Sequence, residues 1–430
     1  MASIVNIPAE VLDDILHLVV FGVLLRWHDL WQHRLTLACV CSTFKNVIYG
    51  APRYWSRLFV HRYTRRGYLE FCLRQTGSAA LLLWVDSEKP PNPYAYDHAL
   101  RRAPLSHFIT GLRLHIRPFF HRVARLQIRG ARQEDHVATV AELAKYEASS
   151  LTHLYLQFDS RYRTLTTDYS PFASHQRLSF LVLSCTFPIT PHTSYAAVTT
   201  LVLRLLWLKH APRWAEVRSV LVCMDHLEEL QLDHVECVGM TDAPRLRMES
   251  LTSLVLQCDS EASIQLVALL DMPHVSSWEL TLYDGASLST LVEAGGSAFQ
   301  RATRLRLDVE VLGYDDIPSL FRASTSIRDV DFSLSSKDVC DHIGHWAVTL
   351  PVRWHHMKIT GPMAQSRAEA MVRALGDEGG GDVELTIYGR EGETVRSVWT
   401  MLDGVPVEKE LEGGRFIVPH RFSIDDRVKF

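Results

Sequence analysis

The chain has 430 residues, of which 47% are hydrophobic and 22% charged, with a formal net charge of −4. This composition excludes a disordered chain and leaves room for two or three ordinary domains, or for one small domain followed by a repeat array. So small a net charge gives no bulk attraction to nucleic acid or to an anionic membrane.

Residues 1–62 read as a small helical unit. Pro8 suits the first position of a helix, where its missing N–H costs nothing, and Glu10, Asp13 and Asp14 follow in the first turns, where the dipole favours negative charge. Val11, Leu12, Ile15, Leu16 and Val19 recur at helical spacing. A second helix is expected to carry Leu37, Val40, Cys41, Phe44 and Ile48 on one face. Gly50-Ala51-Pro52 breaks it, and Trp55 and Leu58 follow on a short third element. Three helices in so short a segment bury only roughly 60% of their unfolded surface, so the leftover apolar surface should meet another body.

Pro8-x-Glu10-x-Leu12-x-x-Ile15, then Val40-Cys41-x-x-Phe44, then Pro52-x-x-Trp55 resembles the F-box pattern over residues 4–60. The resemblance implies docking on a Skp-family adaptor and, through it, on a cullin–RING ubiquitin ligase. By position Pro8, Leu12, Ile15, Leu16, Val40, Cys41, Phe44 and Trp55 match the motif and would meet the adaptor. One departure is the long insert at 26–34 between the first two helices.

Residues 63–390 read as a repeat. A strand at 79–85 opens the array, and from residue 120 a Leu-x-x-Leu-x-Leu phrase returns with variations. Its middle residues fall at 126, 154, 181, 201, 230, 254, 278, 305, 330 and 357, a period near 26. That period lies within the roughly 20–29 residues of leucine-rich repeats. Helical patterns lie between the phrases at 136–147, 213–224, 261–270, 288–294, 318–323, 337–348 and 364–375. The expected fold class is therefore α/β: an N-terminal three-helix F-box-like domain, then an irregular leucine-rich-repeat solenoid of parallel concave strands and convex helices. A doubly wound α/β enzyme also alternates strand and helix, but its strands would keep no fixed phrase. The family's frequent Asn or Cys after each phrase is absent. Residues 391–430 read as a cap or tail with short strands at 395–402, 405–410 and 415–419.

The eight cysteines are scattered and form no C-x-x-C pair, which points to a reducing compartment. The apolar run 15–25 lacks a basic flank and a cleavage site, and no stretch reaches the roughly 18 apolar residues of a membrane span. The expectation is a soluble intracellular protein, cytoplasmic or nuclear, without membrane or nucleic-acid partners.

Catalytic motifs are missing: there is no G-x-S-x-G elbow, phosphate loop, dinucleotide loop or H-E-x-x-H. Cys340, His342 and His345 with His355 and His356 lack a partner that completes a metal site, so no metal, cofactor or catalytic role is expected. Residues 98–133 hold Arg101, Arg102, Arg113, Arg117, Arg122, Arg125, Arg129 and Arg132 and no acid. They read as a solvated face balanced by acids elsewhere, as a grip for an acidic or phosphorylated ligand, or, with Phe108, Phe119 and Phe120 nearby, as a nucleic-acid surface. The variable places inside the phrases, Gln127, Tyr155, Val182, Val202, Gln231, Val255, Glu279, Arg306 and Asp331, are the expected row facing a protein substrate. The resemblance implies a substrate-recognition subunit of a Skp–cullin–F-box ligase. The alternative is a leucine-rich-repeat scaffold with no ubiquitin role.

Overall fold

A computed structural model describes residues 7–21, 30–62, 64–87, 105–158, 165–167, 177–188, 193–206, 211–258, 260–283, 287–309, 326–334, 355–362, 382–388, 395–402 and 405–410. They belong to two compact units, Met1–Met224 and Asp225–Phe430. That boundary falls inside the expected array, at neither 62/63 nor 390/391.

In the first unit, α1 (Ala9–Phe21) begins where the Pro8 carbonyl accepts the Leu12 amide at 2.9 Å, so Pro8 stands just outside the helix. The expected second helix is two helices, α2 (Leu30–Ala38) and α3 (Ser42–Gly50). Cys39 and Val40 close α2 with tight bonds back to Thr36 and Leu37. Cys41 is extended, and its thiol accepts the Phe44 amide at 3.5 Å, an N-cap made by sulfur. A 3-10 turn at Pro52–Tyr54 delivers Trp55 to the core.

The chain then runs through β1 (Arg57–His61), α4 (Arg66–Gln75), β2 (Leu81–Asp86), α5 (Leu105–Gly111), β3 (Val123–Gly130), α6 (Gln133–Leu143) and β4 (His153–Phe158). It continues through β5 (Leu165–Thr167), β6 (Phe180–Ser184), β7 (Thr186–Pro188), β8 (Thr200–Leu206) and α7 (Trp214–Val222). Strands β1, β2, β3, β4, β6 and β8 pair in that order, all parallel, while β5 and β7 form a separate pair. The sheet thus starts at β1, inside the segment expected to be purely helical. Leu126, Leu154, Leu181 and Leu201 stand in register and are at most 1% exposed. Each such side chain contributes about 1.5–3 kcal/mol of burial.

The second unit holds β9 (Glu229–Val235), β10 (Leu246–Arg247), β11 (Ser253–Cys258), α8 (Glu261–Ala268), β12 (Leu270–Asp271), β13 (Ser277–Leu282), α9 (Leu288–Gln300) and β14 (Arg304–Val309). Strands β15 (Asp329–Leu334), β16 (His356–Pro362), β17 (Asp382–Tyr388), β18 (Val395–Leu402) and β19 (Val405–Glu410) follow. Strands β9, β11, β13, β14, β15, β16 and β17 are parallel; β18 and β19 close the edge antiparallel, at the bounds expected from sequence. Trp278 takes a leucine place in the buried row and is fully enclosed. Gly295 of α9 makes room for its ring, since a Cβ there would lie 3.0 Å from Trp278 Cη2.

Cys185, Leu205 and His234 each lie two residues past the last leucine of a phrase and carry φ of +50°, +54° and +50°. This left-handed step costs a non-glycine residue energy, and it recurs at one place in the phrase, where the chain leaves the sheet. The helices expected at 318–323, 337–348 and 364–375 and the strand at 415–419 lie outside the described residues. The fold class is α/β with extended parallel pairing, as the phrase predicts.

Candidate functional site

Helix α1 is apolar on two sides. Leu12, Leu16 and Val20 are 1%, 2% and 0% exposed and face its own unit. Val11, Ile15, Leu18 and Val19 are 49%, 43%, 67% and 44% exposed, and Val40, in the turn before α3, is 60% exposed. Val11, Ile15, Leu18 and Val19 recur at i, i+4, i+7 and i+8 and so form one stripe along the helix, the kind of exposed apolar surface that a partner can cover.

Of the residues expected to meet an adaptor, Pro8, Ile15, Val40 and Cys41 are exposed and Phe44 is half-buried. Leu12, Leu16 and Trp55 point inward instead. The Trp55 indole N–H donates to the Ile48 carbonyl at 2.8 Å. Its ring meets Phe71 edge-on at 5.1 Å, and the Arg34 guanidinium lies 5.8 Å from its centre. Sequence reading missed Leu18, because helical spacing locates apolar residues but not the side on which the core lies.

The second surface is the face of the first unit's sheet opposite the phrase leucines. Parallel register aligns three rows across β1, β2, β3, β4 and β6. Arg57, Leu82, Arg125, His153 and Phe180 form one; Phe59, Trp84, Gln127, Tyr155 and Val182 the next; His61, Asp86, Arg129, Gln157 and Ser184 the third. Gln127, Tyr155 and Val182 share a row as expected, yet they are only 9%, 6% and 6% exposed, and Val202 beyond them is fully buried. Their neighbours in the ladder cover them, so the more open groups lie in the flanking rows. A period of two around Gln127 would have found Arg125 and Arg129.

Rings pack along this face. Phe59 meets Trp84 at 5.6 Å, His153 stacks on Phe180 at 5.3 Å, and Tyr155 lies 5.5 Å from Phe180. Burial, and then the charge of Arg125, hold the His153 imidazole down at about 4. Burial, followed by Arg34 and Arg125, lowers the Arg57 guanidinium. Burial pushes the Tyr155 phenol up to about 12.

The arginine-rich stretch divides by role. Arg113 makes a two-pronged contact with Glu142, 3.0 Å on each prong. Arg122 donates to Thr76 Oγ1 at 2.8 Å and to the Ala79 carbonyl at 2.7 Å. Arg117 lies over the Tyr146 ring. Those three brace the fold, whereas Arg125 and Arg129 stand on the sheet face. Arg101 and Arg102 lie outside the described residues.

In the second unit the expected row is also in register: Gln231, Val255, Glu279, Arg306 and Asp331, then Lys358. Gln231 and Val255 are buried, and the Gln231 amide donates to the Glu229 carboxylate. Glu279, Arg306 and Asp331 are half-buried and alternate in sign, with Arg306 3.9 Å from Glu279 and 3.8 Å from Asp331.

Among the described residues no group of three or more His, Cys, Asp or Glu is placed to hold a metal ion. His355 and His356 are exposed, and Cys340, His342 and His345 lie outside the described residues. Among the described residues no helix is long and apolar enough to cross a membrane. Comparison with family models and with curated protein sequences gives no match.

Proposed function

We propose that the chain is the substrate-recognition subunit of a Skp–cullin–F-box type ubiquitin ligase. In this reading α1 to α3 are an F-box-like domain that docks a Skp-family adaptor, and the parallel strands with their helices are an irregular leucine-rich-repeat solenoid that presents a protein substrate. The chain itself makes and breaks no bond. It raises the effective concentration of substrate near a charged ubiquitin carrier, so that transfer becomes nearly intramolecular. Its place of work is then inside the cell.

The observation that carries the reading is the outward apolar stripe of α1, Val11, Ile15, Leu18 and Val19, with Val40 exposed as well. It coincides with the segment whose motif resembles an F-box. The test is co-purification of the full chain with a Skp-family adaptor, with Ile15→Asp/Val40→Asp as the variant. Complex formation by the parent and its loss in a variant with unchanged circular dichroism supports the reading. A folded parent that takes up no adaptor overturns it.

The scaffold reading, with no ubiquitin role, is favoured by a different observation. Arg34 of α2 donates to the Arg57 carbonyl at the start of β1, and Trp55 packs on Phe71 of α4. The N-terminal helices would then serve to cover the first strand.

A further inference from the structure

We propose that the open face of the first unit's sheet binds an acidic polypeptide segment, with Arg57, Arg125 and Arg129 as the cations that recognise it. This rests on the reading of the chain as a substrate receptor and names the class of substrate.

The three rows on this face carry three arginines, Arg57, Arg125 and Arg129, and one carboxylate, Asp86. Arg57 and His153 are both lowered, by burial first and then by surrounding arginine charge, with Arg125 common to the two. Arg57 and Arg125 stand in one row two strands apart, about 10 Å, and Arg129 lies four residues further along β3, about 13 Å. An extended chain repeats its same-side side chains about every 7 Å, so carboxylates two or four residues apart match this spacing. Guanidinium forks are suited to carboxylates.

Aromatic side chains lie among and beside the cations: Phe59 and Trp84 on β1 and β2, and Phe180 two strands beyond Arg125. Phe59, Trp84 and Phe180 are half-buried and give the segment an apolar floor. Single-stranded nucleic acid also uses cations and rings, but it needs open ring faces on which bases stack. Here the rings lie against one another, with Phe180 shared by His153 and Tyr155, and Tyr155 is only 6% exposed. An acidic protein segment fits this face better than a polynucleotide.

The test is fluorescence anisotropy of the full chain with a labelled random copolymer of glutamate and tyrosine, beside labelled oligothymidylate, at two salt concentrations. The expected result is binding of the copolymer that weakens with salt. Arg125→Glu should lose at least about tenfold in affinity and Arg125→Ala severalfold, since the cation is removed or inverted. Arg74→Glu, the same charge change on the exposed side of α4, should leave binding unchanged. No copolymer binding, equal loss in Arg74→Glu, unchanged affinity in a folded Arg125→Glu chain, or tighter binding of oligothymidylate would each overturn the proposal. None of these outcomes bears on adaptor docking, which is read separately by co-purification.

Discussion

The Tyr54 hydroxyl lies 2.7 Å from both the carboxylate and the backbone carbonyl of Asp13, and so ties α1 to the turn that follows α3. Arg53 completes the clamp, 2.5 Å from the Asp13 carboxylate and 3.3 Å from Asp14. Burial, then the Asp13 hydrogen bond, raise the Tyr54 phenol well above its ordinary value, so it stays a donor at any physiological pH. Tyr54→Phe keeps the ring and removes the donor. It should cost about 1–2 kcal/mol in urea unfolding, because Arg53 still satisfies part of the carboxylate. A change of zero would mean that the Tyr54 hydroxyl adds nothing to the hold that the leucines and Arg53 already have on α1.

The two sides of α1 should separate under mutation. Leu12→Ala opens a cavity in the unit and should cost about 2–5 kcal/mol. Ile15→Asp, on the exposed side, should change stability by no more than about 0.5 kcal/mol. Paired denaturation curves decide this, and equal losses would place Ile15 in the core as well. The separation is what makes Ile15 a usable probe of adaptor docking and Leu12 an unusable one.

Why these two sides were not separable in the sequence is a matter of pattern. Val11–Leu12, Ile15–Leu16 and Leu18–Val19–Val20 spread apolar residues over a wide arc around the polar stripe of Glu10, Asp13, Asp14 and His17, so periodicity located the polar stripe but not which half of the apolar arc meets the core. The strands were easier. Leu126, Leu154, Leu181 and Leu201 keep one phrase because parallel pairing demands one register. The same phrase hid the division at 224/225, since Leu203 and Leu232 continue it on either side. The break at Cys41 was missed because a thiol is an unusual cap. Arg113 and Glu142 pair across 29 residues, a distance at which no local pattern reports a partner.

Acid should destabilise the first unit through His136. The imidazole is fully buried, with neither ring nitrogen hydrogen-bonded among the described residues, and burial holds it down from 6.5 to about 4. Above about pH 6.5 it is neutral in both folded and unfolded chains and its stability is intact. As pH falls from 6.5 towards 4, the unfolded chain takes up a proton that the folded chain refuses, and up to about 3 kcal/mol is lost. His136→Leu should remove its share of the loss in that window, leaving the share of His153, whose imidazole is also held down to about 4, and be near neutral at pH 7. Glu142, held down at about 2 by Arg113 first and then by Tyr146 and Lys145, should still add a loss as pH falls below 4.5 in both chains. A parent whose unfolding midpoint is flat between pH 7 and pH 4 would refute the role of His136.

Charge order in the second unit gives the last prediction. Arg306 sits between Glu279 and Asp331 on adjacent parallel strands and lies within 3.9 Å of the first and 3.8 Å of the second. Half-exposed pairs at this range are worth little singly, so Arg306→Met should cost only about 1 kcal/mol. Arg306→Glu is different in kind, because it sets three carboxylates side by side on neighbouring strands, where like charges repel directly. It should cost roughly 1 kcal/mol more than the methionine change, and salt should restore part of that excess by screening. Equal effects of the two substitutions, or no salt dependence, would show that the ladder contributes through packing of the arginine stem and not through its alternation of sign.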